Sequence, residues 1–150
     1  MQYLQIISAI PFDLKDPEWE KNTAGRLFSH KYGYGLLDVY RIVQNAKEFK
    51  NLGPQVFLEM PIVKVDKQIP MNDEGIISSI QVTQNELDNV KFGRLEHVTV
   101  TVNIQHTRRG DIQVDLISPH GIISHLGTSR MYDEYRGGLS NWTFMSVKHW

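Results

Sequence analysis

The histidines and serines are the residues of this chain that could carry out metal or nucleophilic chemistry. Five of the six histidines lie in the second half of the sequence, among them His97, His106, His120 and His125. None forms a closely spaced ligand pair with a carboxylate partner, so no metal site is predicted. No serine occupies a glycine-rich loop before a helix, as a serine nucleophile would. The sequence therefore predicts no catalytic, metal-binding or cofactor-binding residue in this chain.

The segment Arg108–Asp111 reads Arg-Arg-Gly-Asp and holds the one pair of adjacent basic residues. Its last three letters form an adhesion tripeptide, and the two arginines could be a protease target. Because the segment separates two alternating stretches, a hairpin turn explains it better. A tight turn does not fit the extended-substrate groove of a protease, so neither role is favoured.

Two further motifs invite a functional interpretation. Asn141-Trp142-Thr143 is a glycosylation sequon, so Asn141 is a candidate glycosylation acceptor, and an ordinary strand start explains the triplet equally well. Gly33-Tyr34-Gly35 has part of a dinucleotide fingerprint, but the position for the third glycine holds Asp38. A tight turn that brings the backbone into a helix at close quarters is predicted there instead.

The elements around these motifs belong to a chain of ordinary domain size. It has 150 residues, a formal net charge of -1 and no cysteine. Such a chain can bury a real core. The charge does not direct it toward nucleic acid, and the lack of cysteine excludes disulfides and Cys-based zinc sites. No apolar run reaches membrane-spanning length, so membrane contact is not predicted for this segment.

Residues 1–53 read as helix, loop and helix. The first helical face is Tyr3, Ile6, Ile7 and Ile10, and Pro11 stops it. The second face is Leu36, Val39, Tyr40, Val43 and Ala46. The breaker Gly53-Pro54 ends this helical part.

From residue 55 the apolar period changes to two, which is typical of half-buried strands. The clearest strands are 98–105 and 112–116, and we expect them to pair as a long hairpin. Shorter strands are predicted at 56–60, 62–66, 76–83, 122–126 and 142–148. Turns are predicted at 72–75, 119–121 and 137–138. Many short strands with frequent turns favour a mainly β fold, a jelly-roll-like β-sandwich, preceded by a helical remnant.

Several stretches resemble one protease family. SHKYGYGLLDVYRIV resembles the end of a subtilisin-like catalytic domain, and QYLQIISAI resembles the segment after the helix of the catalytic serine. LEHVTVTVNIQHTRRGDIQVDLISPHG and NWTFMSVKHW resemble the P domain, or homo B domain, of the kexin- and furin-type proprotein convertases. LEHVTVTV and NWTFMSVKHW are most similar to fungal kexins.

The resemblance implies two domains and a role for each. Residues 1–53 would be the tail of the catalytic domain, and residues 54–150 a P domain truncated at its C-terminal end. Tyr40 and Val43 would lie on the surface where the two domains pack. The family's catalytic Asp, His, Asn and Ser lie upstream and map onto no residue here. This chain alone is therefore expected to be inactive and to stabilise and regulate its own catalytic domain.

For the parent protein, the resemblance implies a calcium-dependent serine endoprotease. It would cut precursor proteins after dibasic sites in the lumen of the late Golgi, with a membrane anchor further downstream. Calcium would be bound mainly outside this chain.

Two rival interpretations stay open. One is a stand-alone β-sandwich binding module for carbohydrate or protein, with Trp142, Tyr132 and Tyr135 as an exposed aromatic platform. The other is a structural domain of an unrelated surface protein.

Overall fold

The computed structural model describes residues 2–72 and 74–148. The chain divides into two compact units. The first combines residues 1–50 with residues 94–150, and the second is Asn51–Gly93. We call residues 2–50 the helical region and residues 94–148 the β region.

Both predicted helices of the helical region are present, in shorter form. The first, α1, spans Gln2–Ser8, and the second, α2, spans Val39–Glu48. Asp38 begins α2, because its side chain accepts the backbone N–H of Arg41 at 2.9 Å. The two helices pack together, and the side-chain amide of Asn45 donates to the hydroxyl of Ser8 at 2.8 Å.

The glycine pair forms the tight turn that the sequence predicts. Gly33 and Gly35 have φ values of 61° and 117°. Ser29 and Gly33 exchange backbone hydrogen bonds of 2.9 and 2.7 Å. A Cβ on Gly35 would lie 2.4 Å from the carbonyl oxygen of Ile10, so only glycine allows this approach. Ile10 is therefore not helical but pairs with Leu36 in an isolated bridge.

The helical region also holds the short antiparallel strands β1, Glu20–Lys21, and β2, Leu27–Phe28. The β region holds β3, Val98–Ile104, β4, Val114–Ile117, β5, Ile123–Gly127, and β6, Leu139–Ser146. The alternating strand 98–105 is thus confirmed almost to the residue. The strands at 112–116, 122–126 and 142–148 are confirmed with shifted ends.

The predicted hairpin between the first two strands of the β region is wrong. β3 pairs with β6, and β4 pairs with β5, both antiparallel. Between β3 and β4 the chain forms a 3₁₀ turn at Arg109–Asp111, in which Gly110 is buried. A Cβ on Gly110 would lie 2.2 Å from the carbonyl oxygen of Arg130. Gly110 donates its N–H to the carbonyl oxygen of Asp133 at 2.9 Å and accepts the N–H of Arg130 at 2.8 Å. These hydrogen bonds hold the turn against residues 130–133, and the chain passes into a second sheet instead of doubling back.

The two sheets of the β region form layers. β5 packs against β6, and the buried hydroxyls of Ser124 and Ser146 bond each other at 2.7 Å between them. Gly127 leaves room for the ring of Phe144, which would lie 3.3 Å from a Cβ there. The mainly β, layered fold class is therefore confirmed.

In the unit Asn51–Gly93, the strands predicted at 56–60, 62–66 and 76–83 are wrong. None of its described residues, 51–72 and 74–93, forms a strand. A strand needs a hydrogen-bonded neighbour, and here apolar side chains such as Ile62, 93% exposed, have no sheet to cover. The described residues of this unit contain one helix, α3, Gln84–Asn89, which begins with a capping box between Thr83 and Glu86. The turn predicted at 72–75 includes residue 73, which lies outside the described residues.

Candidate functional site

A buried lysine lies where the helical region meets the β region. Lys148 is 2% exposed, and its Nζ lies 2.8 Å from Oε2 of Glu20 on β1. The same ammonium donates to the carbonyl oxygen of Ile123 on β5 and lies 5.8 Å from the ring centroid of Phe28 on β2. One cation thus connects the small β1–β2 sheet with β5. We call this contact the junction.

Two further hydrogen bonds strengthen the junction on the backbone that leads to Lys148. The hydroxyl of Tyr34 donates to the carbonyl oxygen of Val147 at 2.8 Å, and the amide of Asn22 donates to that of Lys148 at 3.4 Å. Burial raises the pKa of Tyr34 to about 12, so its hydroxyl remains a donor at physiological pH. The turn at Gly33 and Gly35 therefore aims Tyr34 at the end of the β region.

A pair of histidines lies at the edge of the junction. The rings of His30 and His125 are 5.1 Å apart, and the backbone N–H of His125 donates to Nε2 of His30 at 3.3 Å. Nδ1 of His125 lies 2.8 Å from Oδ1 of Asp115 on the neighbouring strand. Desolvation lowers the pKa of His30, and the positive charges of Lys148 and His125 lower it further. The folded chain therefore favours neutral His30.

This arrangement predicts that the chain loses stability as the pH falls. The unfolded chain, in which the pKa of His30 is about 6.5, binds more protons than the folded one below that pH, so His30 favours folding above it. We expect the melting temperature of the wild type to fall below pH 6.5 more steeply than that of His30→Gln. Thermal melts from pH 7.5 to 5 measure the difference. His97→Gln, directly before β3, is the matched control. Equal slopes for wild type and His30→Gln would contradict the prediction.

An ion cluster closes the Arg-Gly-Asp turn. The guanidinium of Arg109 donates to both oxygens of Asp133, at 2.7 and 3.0 Å, and Nε of Arg130 donates to Oδ2 at 3.2 Å. These arginines, Arg109 first, hold the pKa of Asp133 down at about 2. We call Arg109, Arg130 and Asp133 the Asp133 clamp. It holds the turn by paired, charge-assisted hydrogen bonds.

The three aromatic residues of the rival platform are exposed, but they do not form an open flat surface. The guanidinium of Arg109 lies over the ring of Tyr135 at 4.9 Å and over that of Trp142 at 5.3 Å. A cation on a ring face takes the place where a sugar would stack. Tyr132 is left as a single exposed ring, so a carbohydrate platform is not favoured.

The remaining candidate site residues named from the sequence, which are Tyr40, Val43 and Asn141, all lie at the surface. Tyr40 is 72% and Val43 51% exposed, and α2 buries none of its residues. Their role in packing between domains stays a prediction. Asn141 is exposed, with a φ of 46°, and its backbone N–H donates to the side chain of Asn103 at 2.7 Å. Its glycosylation also stays a prediction.

Nothing among the described residues assembles a reactive centre. Residues 2–72 and 74–148 contain no group of three metal-ligating side chains. Asp115 and His125 have the acid and base of a triad, but the hydroxyls of Ser124 and Ser146 are bonded to each other. In the same part of the chain, no helix is long and apolar enough to cross a bilayer.

Comparison with known proteins explains this architecture. Residues 95–150 match the family model of the proprotein convertase P-domain. Over its whole length, the chain is 45% identical to protease KEX1 of Kluyveromyces lactis, 39% identical to kexin of Saccharomyces cerevisiae and 33% identical to human proprotein convertase subtilisin/kexin type 7. It spans 20%, 19% and 19% of these relatives, about a fifth of their length.

The layered β region and the helical region packed on it have the fold of a protease segment. The crystal structure of a serine protease of Aeromonas sobria contains the same fold, with a TM-score of 0.67 over 99% of this chain and 30% of that one, at 22% identity. The chain belongs to the kexin- and furin-type proprotein convertases, and the predicted similarity to fungal kexins is confirmed.

Proposed function

We propose that the whole protein is a calcium-dependent, subtilisin-like serine endoprotease that processes secretory precursors after dibasic sites. In this proposal, residues 1–53 end its catalytic domain and residues 54–150 belong to its P domain. Two relatives, 42% and 37% identical over the full chain, are named dibasic-processing endoproteases, in Schizosaccharomyces pombe and Yarrowia lipolytica. The protein would act in the lumen of the late Golgi on precursor proteins.

The role of this chain is to stabilise and regulate the catalytic domain, and the junction carries this proposal. Lys148, Tyr34 and Asn22 join residues from both predicted domains through buried or half-buried hydrogen bonds. Such a contact transmits the stability of the β layers to the end of the catalytic domain. Calcium would be bound mainly elsewhere in the protein, and among residues 2–72 and 74–148 no three His, Asp or Glu side chains come together as a metal site.

The exposed face of α2 offers a second contact surface. Five large apolar residues are exposed at its start: Leu36, Leu37, Val39, Tyr40 and Val43. A patch of this kind is typical of a surface that another part of the protein covers. We infer that Tyr40 and Val43 pack against the rest of the catalytic domain.

A chimera tests the function directly. The corresponding segment of protease KEX1 of K. lactis, 45% identical over this whole chain, is replaced by residues 1–150. We expect the chimera to cleave a dibasic fluorogenic peptide in calcium buffer at a rate within about tenfold of the parent, a loss of about 1.4 kcal/mol. A Lys148→Ala chimera should lose activity at a lower temperature because the junction is weakened.

Two controls complete this experiment. The chain by itself should give no turnover, because no residue of it maps onto the family's catalytic positions. A chimera that folds and is secreted but does not cleave the dibasic peptide would contradict the proposed role. Activity of the chain alone that survives repurification would contradict it as well.

A further inference from the structure

The peptide bond between Arg109 and Gly110 follows the one pair of adjacent basic residues in the sequence. A protease that reads such a pair binds its substrate as an extended strand, with the arginine side chain free to enter a pocket. In the folded chain this bond instead lies inside the 3₁₀ turn Arg109–Asp111, and Gly110 is buried. The residue types of a cleavage site are present, but the extended backbone conformation that a protease binds is not.

The backbone groups that a protease would bind are already occupied. The carbonyl oxygen of Arg109 accepts the N–H of Ile112 at 3.1 Å and the guanidinium of Arg130 at 3.2 Å. The N–H groups of Arg109 and Gly110 donate to the carbonyl oxygens of Tyr135 and Asp133 at 2.8 and 2.9 Å. Cleavage would require these hydrogen bonds to open together.

The side chain that a protease would read is occupied as well. One edge of the Arg109 guanidinium, formed by Nε and Nη2, donates to Asp133, and its central carbon lies over the rings of Tyr135 and Trp142. Arg108 is held less firmly, by Asp111 at 3.1 Å and by the carbonyl oxygen of Met131. Asp133 is therefore the residue on which the masking of Arg109 depends.

We propose that Arg109–Gly110 is a masked cleavage site for proteases that recognise paired basic residues, kept closed by the Asp133 clamp. Once the clamp is open, such a protease would hydrolyse the amide bond between Arg109 and Gly110 with one water molecule. The carbonyl carbon of Arg109 would become a carboxylate, and the nitrogen of Gly110 a new terminal amine. One consequence of this inference rests on the proposed function: a misfolded copy of the protein would be cleaved by proteases of its own family.

The masking should persist in acidic compartments. Asp133 faces the two cations Arg109 and Arg130, and its pKa of about 2 keeps it ionised well below pH 5. The site would therefore respond to damage of the clamp, or to unfolding, and not to mild acidification.

Limited proteolysis of the full chain tests the proposal. The wild type and Asp133→Asn are digested at low concentration with trypsin, and separately with the dibasic-processing endoprotease of S. pombe. Mass spectrometry measures the rate at which the bond 109–110 is cut, relative to the rate for the exposed bond after Arg136. In wild type we expect the bond 109–110 to be cut much more slowly than the bond after Arg136. In Asp133→Asn the ratio should rise about tenfold or more with both enzymes, because local opening controls cleavage.

The control variant is Asp111→Asn, which removes the exposed ion pair to Arg108 by the same chemical change. It should leave the ratio unchanged. If Asp133→Asn does not fold, Arg130→Gln, which weakens the clamp and frees the carbonyl of Arg109, should still raise the ratio.

Two outcomes would overturn the proposal. One is a wild-type bond cut as fast as the bond after Arg136, and the other is an opened bond that trypsin cuts but the dibasic enzyme does not. The trypsin result does not depend on the proposed function. An inactive chimera together with the expected proteolysis result would therefore contradict the proposed function and leave the masked cleavage site supported.

Discussion

Gly138→Ala is expected to weaken the pairing of β3 with β6 and to destabilise the β region strongly. Gly138 has a φ of 62°, and a Cβ there would lie 2.0 Å from the carbonyl oxygen of Ile104 and 2.8 Å from the backbone nitrogen of His106. The left-handed conformation costs about 1–2 kcal/mol for a residue with a side chain, and the overlap with rigid backbone adds to it. We expect a loss of at least about 3 kcal/mol of unfolding free energy, measured by urea denaturation with tryptophan fluorescence.

Gly121→Ala is the matched control for this substitution. Gly121 has a φ of 78°, but no atom lies within 4 Å of its Cβ position. Its cost should be limited to the left-handed backbone conformation, about 1–2 kcal/mol. Equal losses for the two variants would show that the close approach to Ile104 does not matter.

Lys148→Ala has the second largest expected effect. The substitution removes the ammonium that Glu20 and the carbonyl oxygen of Ile123 share, and it leaves a cavity beside Phe28. Truncating a long buried side chain and breaking its pair each cost about 2–5 kcal/mol in other proteins, and these terms overlap. We expect the unfolding free energy to fall by about 3 kcal/mol, measured in the same denaturation experiment.

Lys148→Met and Glu20→Gln divide this effect into parts. Methionine keeps most of the volume without the charge, so it should cost less than alanine. Glu20 is more than half exposed, and its neutral variant should cost less than about 1 kcal/mol. A Lys148→Ala chain as stable as the wild type would show that the junction does not stabilise this fold.

Short-range patterns predicted the elements whose causes lie within a few residues. The alternation at 98–105 gave a correct strand because one face is half-buried along its whole length. The predicted turn at Gly33 and Gly35 is also local, since a positive φ depends on neighbouring atoms.

Partner choice could not be predicted in this way. β3 pairs with a strand about 40 residues away because Gly110 is held by residues 130–133, which no pattern near residue 110 indicates. The apolar alternation at 56–66 has no neighbouring strand, so it never becomes a sheet. Lys148 lay inside the predicted strand 142–148 with no local sign of its burial, and its partners Glu20 and Ile123 appear only in the folded chain.

The junction also has a consequence for the order of events at the ribosome. Its hydrogen bonds join residues 126 and 128 positions apart, from Asn22 and Glu20 to Lys148. The β1–β2 segment is therefore synthesised long before Lys148 and lacks that partner until then. A nascent chain stalled just before Lys148 is added would carry every residue of the β1–β2 sheet and still lack the contact that holds it in place.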